Sequence, residues 1–289
     1  MTIYADLHMH SSCSDGLDTP LALLERAKSR GLLAVSITDH DTLAALEQGR
    51  KAALELGLEL VTGIEVSAFY KGRSAHLLGY FLDETSPAAK KLVEINFSGR
   101  EERMGRMVSH LGKLGYNIDM DKLVEFTGEG TLGRVSLAKY MVKLGYFRTP
   151  GEAFDKALGD GRPAFEPVSR LSVEQSVELI GQAGGVSSLA HPGAEFAVEE
   201  VEAFAEAGLD AVEAITPYHS PELTAKWLQV AGGMGLAVSG GSDCHGPLWR
   251  NHNVGAAGLD FEMMEKLRAR AKTPACRETS AGGKNNEAA

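Results

Sequence analysis

The sequence IYADLHMH, residues 3–10, is a short apolar run that ends in two histidines. Similar strand-like runs occur at LLAVSITDH (32–40) and LELVTGIEVSAFY (58–70). Between them, helical patterns predict one helix over Pro20 to Arg30 and another from about Thr42 to Leu56. Because strands that alternate with helices usually pair in parallel, the front of the chain is expected to form parallel strands.

One further strand follows the front of the chain, and the last third resumes the strand–helix alternation. SAHLLGYFL (74–82) supplies a further strand, and VSSLAH (186–191), DAVEAI (210–215) and LAVSGGSD (236–243) are again separated by helical patterns. One of these helices is predicted from about Val198 to Ala207. Together the elements predict an α/β fold, a closed or nearly closed barrel whose functional residues follow the carboxyl ends of the strands.

The middle of the chain has a different pattern. From about residue 97 to 165 strand signals vanish and helical ones dominate, which predicts a helical insertion that caps the barrel mouth. We therefore expect a discontinuous barrel domain of residues 1–96 and 166–272 and an insertion subdomain of residues 97–165. Residues 273–289 are polar and rich in Gly, Asn and Ala, and are expected to be a disordered tail.

Composition narrows the function classes. The chain has 289 residues, of which 44% are hydrophobic, enough for one main domain. A formal net charge of −10 argues against a long surface that holds nucleic acid by phosphate attraction alone. The three cysteines form no Cys-x-x-Cys pair, and neither a membrane span nor a signal peptide is evident, so a cytoplasmic protein without an obligate protein partner is expected.

Nine side chains form the main functional pattern. They are imidazoles and carboxylates expected at the ends of the apolar, strand-like runs or in the loops that follow: His8, His10, Asp15, His40, Glu65, His76, His191, Asp243 and His245. Such groups are ligands for divalent metals, so the set predicts a multinuclear metal site. Any single histidine could instead be a satisfied core residue, but six of the nine histidines belong to this pattern.

Strand geometry sharpens the prediction, because alternate residues of a strand point to the same side. His8 and His10 are therefore expected to project together while Met9 turns away. Asp243 and His245 should repeat this arrangement around Cys244, which is expected to face the packing side.

These motifs resemble those of the polymerase and histidinol phosphatase (PHP) family. The matching segments are DLHMHSSCSDG, SITDHDT, GIEVSA, AHLLGY, LAHPG and GSDCH, between residues 6 and 245. The resemblance implies a distorted seven-stranded barrel with a trinuclear metal site. It implies three ligand groups: His8, His10, Glu65 and Asp243 for one metal; Glu65 as a bridge to a second metal held by His76 and His191; and Asp15, His40 and His245 for the third.

The sequence of the insertion resembles that of one subgroup of the family. GRVSLAKYMVKLGY (133–146) and EAFDKALGDGRPAFEPV (152–168) resemble the PHP subgroup of TrpH-like 3′,5′-nucleoside bisphosphate phosphatases, members of which also trim RNA from the 5′ end. This implies a phosphoesterase that removes the 3′-phosphate of a bisphosphate such as adenosine 3′,5′-bisphosphate by attack of a metal-bound hydroxide. Two or three divalent ions are expected, manganese first, with zinc and iron suited to the same ligands.

Further side chains are candidates for substrate contacts and catalysis. Arg134, Lys139 and Arg148 are expected to bind the second phosphate, although Lys139 could equally belong to a solvated helix face. His219, in ITPYHS, is expected to bind the scissile phosphate or protonate the leaving 3′ oxygen, unless it is an ordinary surface-loop histidine. His191 and Asp243 are expected to act with it in catalysis as metal ligands.

Three carboxylates near the predicted ligands have a supporting role in this interpretation. Asp6, Asp39 and Asp41 are plausible partners that orient ligand imidazoles, although Asp41 could instead cap the following helix. His110 and His252 are expected not to be ligands.

Three other functions remain open at this stage. A different PHP phosphomonoesterase, acting for instance on histidinol phosphate, would use the same metals. An amidohydrolase that cleaves C–N bonds would share the metal-cluster chemistry but ignore phosphate. A nucleic-acid-binding or proofreading module of a polymerase would bind duplex without turnover.

Overall fold

The computed structural model describes residues 3–128, 132–159, 161–166, 171–246 and 253–271. Within them seven strands form one sheet in the order β1-β2-β3-β4-β5-β6-β7. The strands are β1 (Ala5–Asp6), β2 (Ala34–Ile37), β3 (Glu59–Tyr70), β4 (Arg73–Tyr80), β5 (Val186–Leu189), β6 (Ala211–Ile215) and β7 (Ala237–Gly240). The predicted seven-stranded α/β barrel is confirmed.

The sheet nearly closes where the chain beyond β7 meets the chain beyond β1. Leu7 N–H donates to the Gly240 carbonyl at 3.2 Å, and Asp243 N–H donates to the His8 carbonyl at 2.7 Å. Met9 and Cys244 form a parallel bridge. Because these bonds lie past the strand ends, the segments that carry the predicted ligands also close the barrel.

One strand runs against the others. β3 pairs antiparallel with β4, and β4 pairs antiparallel with β5, whereas the remaining neighbours pair in parallel. The expectation of parallel strands, which was based on strand–helix alternation, does not extend to β4. Only Lys71 and Gly72 connect β3 to β4, both with positive φ (46° and 86°), and so short a turn makes a hairpin because a parallel crossover needs many more residues.

The described helices mostly begin at side-chain caps. Their bounds are α1 (Pro20–Ser29), α2 (Leu46–Leu56), α3 (Pro87–Lys113), α4 (Met120–Thr127), α5 (Arg134–Lys143), α6 (Pro150–Ala153, continued by a π-helical turn, Phe154–Leu158), α7 (Val173–Gln182), α8 (Val198–Glu206), α9 (Pro221–Met234) and α10 (Phe261–Arg268). Thr19, Ser86 and Ser220 each cap a helix whose first residue is proline. Helix α2 begins at Leu46 rather than near residue 42, and Asp41 does not cap it.

Two hydrophobic cores divide the apolar side chains. The barrel and its surrounding helices share one set of buried clusters, which includes Phe204 and Trp227. A separate cluster, with Met107 and Met141, joins the second half of α3 to helices α4, α5 and α6. Helix α3 contributes to both, because Leu92 packs on the barrel cluster while Met107 packs in the other. The expected boundary at residue 97 thus falls inside one continuous helix.

The expected tail, residues 273–289, and His252 lie outside the described residues. Among the described helices, none combines the length and apolar composition needed to cross a lipid bilayer.

Candidate metal centre

The structure brings all nine predicted ligands to one end of the barrel. His8 and His10 follow β1, Asp15 lies in the loop before α1, His40 follows β2, Glu65 and His76 lie in β3 and β4, His191 follows β5, and Asp243 and His245 follow β7. His8 and His10 project together, as strand alternation predicts, with ring centroids 5.3 Å apart. Cys244 is fully buried in a hydrophobic cluster, as predicted.

Two of the nine do not lie at strand ends. Glu65 and His76 are interior residues of β3 and β4, because this hairpin extends past the rim where the neighbouring strands stop. An isolated parallel β-bridge between His40 and Glu65 shows that the chain remains paired with β3 for a few residues after β2 ends. The expectation that functional residues follow the carboxyl ends of the strands is therefore wrong for Glu65 and His76, because β3 and β4 are longer than the neighbouring strands.

Glu65 lies at the centre of the cluster and is only 1% exposed. Its two oxygens divide the surrounding imidazoles between them. Oε2 lies 3.3, 3.1 and 3.2 Å from ring nitrogens of His8, His10 and His40. Oε1 lies 2.9 and 3.1 Å from His76 Nδ1 and His191 Nε2. A single carboxylate can therefore face two metal positions.

Eight of the nine predicted ligands fall into three groups, and His191 belongs to none of them. Within each group the atoms lie within 4.8 Å of one another: His8, His10, Glu65 and Asp243; His10, Asp15, His40 and His245; and His40, Glu65 and His76. Neighbouring groups share His10, His40 or Glu65, so the three positions are contiguous. The first group contains the same four residues that the family resemblance implies for one metal.

Unsatisfied ring nitrogens test whether this set fits metal ions. Among the described residues, both ring nitrogens of His10, Nε2 of His8, Nδ1 of His40 and Nδ1 of His76 are buried without a hydrogen-bond partner. Metal bonds of about 2.0–2.2 Å place neighbouring ligand atoms about 3.0–3.5 Å apart. The unpartnered nitrogens of His8, His10, His40 and His76 lie 2.9–3.3 Å from the Glu65 oxygens, close to that spacing, without making a hydrogen bond. The fifth imidazole, His191, makes a hydrogen bond to Glu65 Oε1 at 3.1 Å. The donor set therefore fits divalent cations.

Charge in the site stabilises ionised carboxylates. Burial alone would raise the pKa of Asp15, Glu65 and Asp243, but the surrounding imidazoles outweigh it and hold each pKa well below its usual value. Burial would likewise lower the pKa of His10, yet the neighbouring carboxylates raise it to about 10. His40 is the exception, because burial lowers its pKa to about 3.

The three supporting aspartates do not contact imidazoles, so that expectation is wrong. Asp39 accepts hydrogen bonds from the backbone and hydroxyl of Ser11, at 2.7 and 2.6 Å, in the loop that leads to Asp15. Asp6 accepts from the backbone N–H groups of His8, Ser242 and Gly255. They orient ligands indirectly, by fixing the loops that carry them.

Asp41 has the same kind of role at the other side of the site. Its carboxylate accepts hydrogen bonds from the backbone and hydroxyl of Ser67, both at 2.7 Å, and from Asn96 and Arg100 of helix α3. Asp41 has a φ of 54°, a left-handed conformation that is uncommon outside glycine. The residue after His40 is therefore fixed to β3 and to α3.

Sequence reasoning missed Glu213, which is fully buried in β6. Its Oε1 lies 2.9 Å from His8 Nδ1, and its Oε2 accepts a hydrogen bond from the His191 backbone N–H at 2.7 Å. The available signal was a charged residue in the middle of the apolar strand DAVEAI, because a buried carboxylate needs strong partners.

His219 lies at the site but uses both ring nitrogens for backbone groups. Nδ1 lies 3.0 Å from the Ala214 carbonyl, and Nε2 lies 3.0 Å from the Gly193 N–H. A carbonyl only accepts and an N–H only donates, so the ring is neutral with its proton on Nδ1. Burial also lowers the pKa of His219. In this conformation the ring links two loops instead of presenting a free nitrogen to a phosphate.

The three predicted phosphate-binding cations differ in position. Lys139 Nζ donates to the Asp15 carbonyl at 3.2 Å, so this ammonium reaches the metal centre from helix α5. The Arg134 guanidinium packs 5.7 and 5.3 Å from the rings of Phe154 and Phe165. Arg148 is exposed, and its backbone N–H donates to Glu152. Of the three, Lys139 has a described contact with the cluster.

A second residue that sequence reasoning missed is Tyr218. The residue is 53% exposed, and the centroid of its ring lies 6.0 Å from that of His191 in an edge-to-face arrangement. The residue belongs to the loop after β6 that also carries His219. An exposed aromatic ring beside the candidate metal centre is a surface on which a planar group can stack.

Comparison with known proteins assigns the family. Residues 6–121 match the model of the PHP domain. A 5′-3′ exoribonuclease of Haemophilus influenzae is 35% identical over 66% of this chain and 70% of its own length. A phosphoribosyl 1,2-cyclic phosphate 1,2-diphosphodiesterase of Eggerthella lenta is 32% identical over 86% and 97%. A 3′,5′-nucleoside bisphosphate phosphatase of Chromobacterium violaceum is 30% identical over 86% and 90%.

A solved structure agrees with these relatives. A predicted metal-dependent phosphoesterase of Bifidobacterium adolescentis superposes with a TM-score of 0.85 and 29% identity, over 93% of this chain and 97% of that chain. The fold, the clustered ligands and the relatives together define a metal-dependent phosphoesterase. The chain belongs to the PHP family.

Proposed function

We propose that this enzyme removes the 3′-phosphate of nucleoside 3′,5′-bisphosphates and also shortens RNA from a 5′-phosphorylated end. Both reactions break the 3′ P–O bond of a nucleoside that carries a 5′-phosphate, so one site can serve both. Relatives named for each activity are 30% and 35% identical to this chain. The substrate would be a small nucleotide or a short RNA.

The observation that carries the proposal is the position of Lys139. The clustered candidate ligands already supply the donors for two or three cations, and Lys139 adds a positive charge beside Asp15 that no ligand role requires. An ammonium at this place suits a second phosphate group of the substrate. A monophosphate would not need it.

Each part of the site has a proposed role. The nine clustered side chains would hold two or three divalent ions, manganese in the first place, with Asp243 and His191 among the ligands nearest the reaction. Such ions supply an activated water and neutralise charge on phosphate oxygens when bound. His219 would act by holding the loops around His191, unless its Nε2 is released from Gly193 when substrate binds.

The helical segment between β4 and β5 would form the cap that binds the distal phosphate. Its separate hydrophobic cluster supports its treatment as a subdomain. Arg134 begins helix α5 and Arg148 follows its end, so the two arginines flank the helix that carries Lys139. Both remain proposed substrate ligands of lower rank than Lys139.

A substrate panel tests the proposal. The manganese-loaded protein is assayed for phosphate release and for products from adenosine 3′,5′-bisphosphate, adenosine 3′-monophosphate and 5′-phosphorylated short RNA, with Asp243→Asn as the inactive control. We expect adenosine 5′-monophosphate as the product of the bisphosphate and a clear preference over the 3′-monophosphate. Formation of adenosine 3′-monophosphate, or equal rates on both substrates, would refute the assignment.

The rival functions predict different results in the same panel. Preference for histidinol phosphate would indicate another phosphomonoesterase, and turnover of a phosphoribosyl cyclic phosphate would indicate the activity of the Eggerthella lenta relative. Hydrolysis of amides or lactams without phosphate release would indicate C–N bond cleavage. Duplex binding without turnover would indicate a nucleic-acid-binding module.

A further inference from the structure

Glu213 connects two candidate ligands that come from different strands. It lies in β6, fully buried, and both of its oxygens are used. Oε1 lies 2.9 Å from His8 Nδ1, in the segment after β1, and Oε2 lies 2.7 Å from the backbone N of His191, after β5. Since both oxygens face protein donors, Glu213 belongs to none of the candidate ligand groups.

The contact with His8 selects one arrangement of the imidazole. A carboxylate only accepts hydrogen bonds, so His8 Nδ1 must carry a proton toward Glu213. The other nitrogen, Nε2, then points at the candidate metal position, 3.3 Å from Glu65 and 3.2 Å from Asp243. A hydrogen bond of this kind fixes both the tautomer and the rotation of a metal-binding imidazole.

The contact with His191 acts on the backbone instead. His191 has a φ of 27°, in the positive region that side chains other than glycine rarely adopt. The hydrogen bond from the His191 N–H to Glu213 stabilises this conformation. The preceding residue, Ala190, donates its N–H to the His76 carbonyl at 3.0 Å. The strained backbone aims the His191 ring at Glu65 Oε1, 3.1 Å away.

We propose that Glu213 is a positioning residue that sets the ligand geometry of two neighbouring metal positions at once, through the His8 ring and the His191 backbone. The inference rests on the metal-ligand roles proposed above and not on the identity of the substrate. One buried side chain would thus couple the first metal group, which contains His8, to the metal position beside His76 and His191.

Glutamine at this position provides a specific test, because an amide has one acceptor and one donor end. If the amide oxygen faces His8, its NH2 group opposes the His191 N–H. If the oxygen faces His191, the NH2 group donates to His8 Nδ1 and forces the imidazole proton onto Nε2, the nitrogen needed for metal. Either orientation breaks one of the two contacts without changing the volume of the side chain.

The experiment compares Glu213→Gln with a matched control, Asp210→Asn. Asp210 immediately precedes β6 and accepts hydrogen bonds from the backbone and hydroxyl of Ser187 at 2.9 and 3.0 Å, away from the cluster. Zinc affinity is measured by competition with a chelator. In the zinc-loaded protein, long-range proton–nitrogen NMR spectra identify which nitrogen of His8 is protonated and which binds metal.

For the wild type and Asp210→Asn we expect His8 with a protonated Nδ1 and a metal-bound Nε2. For Glu213→Gln we expect this His8 pattern to be lost or the zinc Kd to rise about 10–100-fold. If Glu213→Gln does not fold, Glu213→Asp, which is one methylene shorter and can reach only one partner, should show an intermediate rise. Wild-type Kd and wild-type His8 spectra in the folded variant would overturn the proposal.

The outcome is independent of the substrate panel. A wild-type enzyme that ignores adenosine 3′,5′-bisphosphate would remove the proposed function but leave the zinc affinity and the His8 spectra as informative as before. Conversely, an unchanged zinc Kd together with unchanged His8 spectra in Glu213→Gln would remove the positioning role of Glu213 while the substrate preference stood.

Discussion

At the residue scale, one carboxylate organises the metal centre. Glu65 is buried among five imidazoles, and each of its oxygens serves a different subset of them. An aspartate in β3 would be shorter by one methylene and could not reach both sides. The role depends on the side-chain length as well as on its charge.

Lys139 gives a prediction about substrate choice. Lys139→Met should raise the KM for adenosine 3′,5′-bisphosphate about 10-fold or more, because a hydrogen bond to a charged group contributes about 1.5–3 kcal/mol. The KM for adenosine 3′-monophosphate should change little. Steady-state kinetics on the two substrates measure the difference, and Lys139→Arg, which keeps the charge, serves as the control. Equal increases for both substrates would mean that Lys139 supports the Asp15 loop only.

Tyr218 gives a second prediction at this scale. We expect the exposed ring to stack on the base of the substrate, since base–aromatic stacking contributes about 1–3 kcal/mol. Tyr218→Ala should therefore raise the KM for adenosine 3′,5′-bisphosphate but leave that for ribose 3,5-bisphosphate unchanged. Tyr218→Phe, which keeps the ring, should resemble the wild type. A base-independent effect of Tyr218→Ala would argue against stacking.

At the element scale, helix α3 connects the metal centre to the helical segment. Its first half packs on the barrel, and Asn96 and Arg100 reach the buried carboxylate of Asp41 next to His40. Its second half packs in the separate helical cluster. A movement of the helical segment that shifts α3 would therefore also shift Asp41 and the adjacent His40.

Removal of the Arg100 side of this contact should destabilise the protein. Arg100→Met is expected to lower the free energy of unfolding by about 3–5 kcal/mol, because it leaves a buried carboxylate without its cation. The double variant Asp41→Asn/Arg100→Met should lose less. Denaturant unfolding measures both, with Lys266→Ala, which breaks an exposed helix pair with Glu262, as a control that should match the wild type.

The same contact has a defined pH dependence. Burial raises the pKa of Asp41, but Arg100 and Ser67 outweigh it, and the pKa lies below its ordinary value. A carboxylate with a depressed pKa contributes stability above its unfolded pKa and loses that contribution as the pH falls. The stability difference between wild type and Arg100→Met should therefore be larger at about pH 7 than at about pH 3. An equal difference at both values would contradict an ionic contribution.

At the scale of the whole molecule, metal binding is expected to release protons. Without metal, the neighbouring carboxylates outweigh burial and raise the pKa of His8, His10 and His191 above the ordinary value, to about 10 for His10. A metal ligand must be an unprotonated nitrogen, so cations displace these protons. Metal affinity should consequently rise with pH from about 6 to 9.

Calorimetry checks this directly. Titration of manganese into the metal-free protein in buffers of different ionisation enthalpy should give an apparent enthalpy that depends on the buffer, with the sign of proton release. Asp243→Asn removes one charge that raises the pKa of His10, so it should release fewer protons. A buffer-independent enthalpy at neutral pH would be incompatible with the protonated imidazoles.

Much of this arrangement could be predicted from the sequence. The alternation of side-chain direction along a strand correctly predicted that His8 and His10 project together and that Cys244 faces the core. The alternation of strands and helices correctly predicted the barrel. These are local properties, because side-chain direction along a strand depends only on the backbone of the next one or two residues. The motifs that carry the family resemblance are local for the same reason.

Other features required the folded chain. The direction of β4 depended on a two-residue turn. The partners of Asp6, Asp39 and Asp41 proved to be backbone N–H groups and, for Asp39 and Asp41, hydroxyl, amide or guanidinium groups in place of imidazoles. Glu213 meets His8 across 205 residues of chain. No pattern within β6 encodes that meeting, because it depends on which strands become neighbours.

Three properties of this protein follow from the amino-acid sequence alone. They are the set of imidazole and carboxylate side chains, their positions along the strands, and the barrel that this order of strands and helices forms. Only the tertiary structure decided which nitrogen and which oxygen face one another, and which cation reaches the rim. Hydrogen bonds and metal bonds tolerate deviations of only a few tenths of an ångström in the distance between their atoms. Because these atoms belong to segments that are distant in the sequence, their separations are set only when the barrel closes.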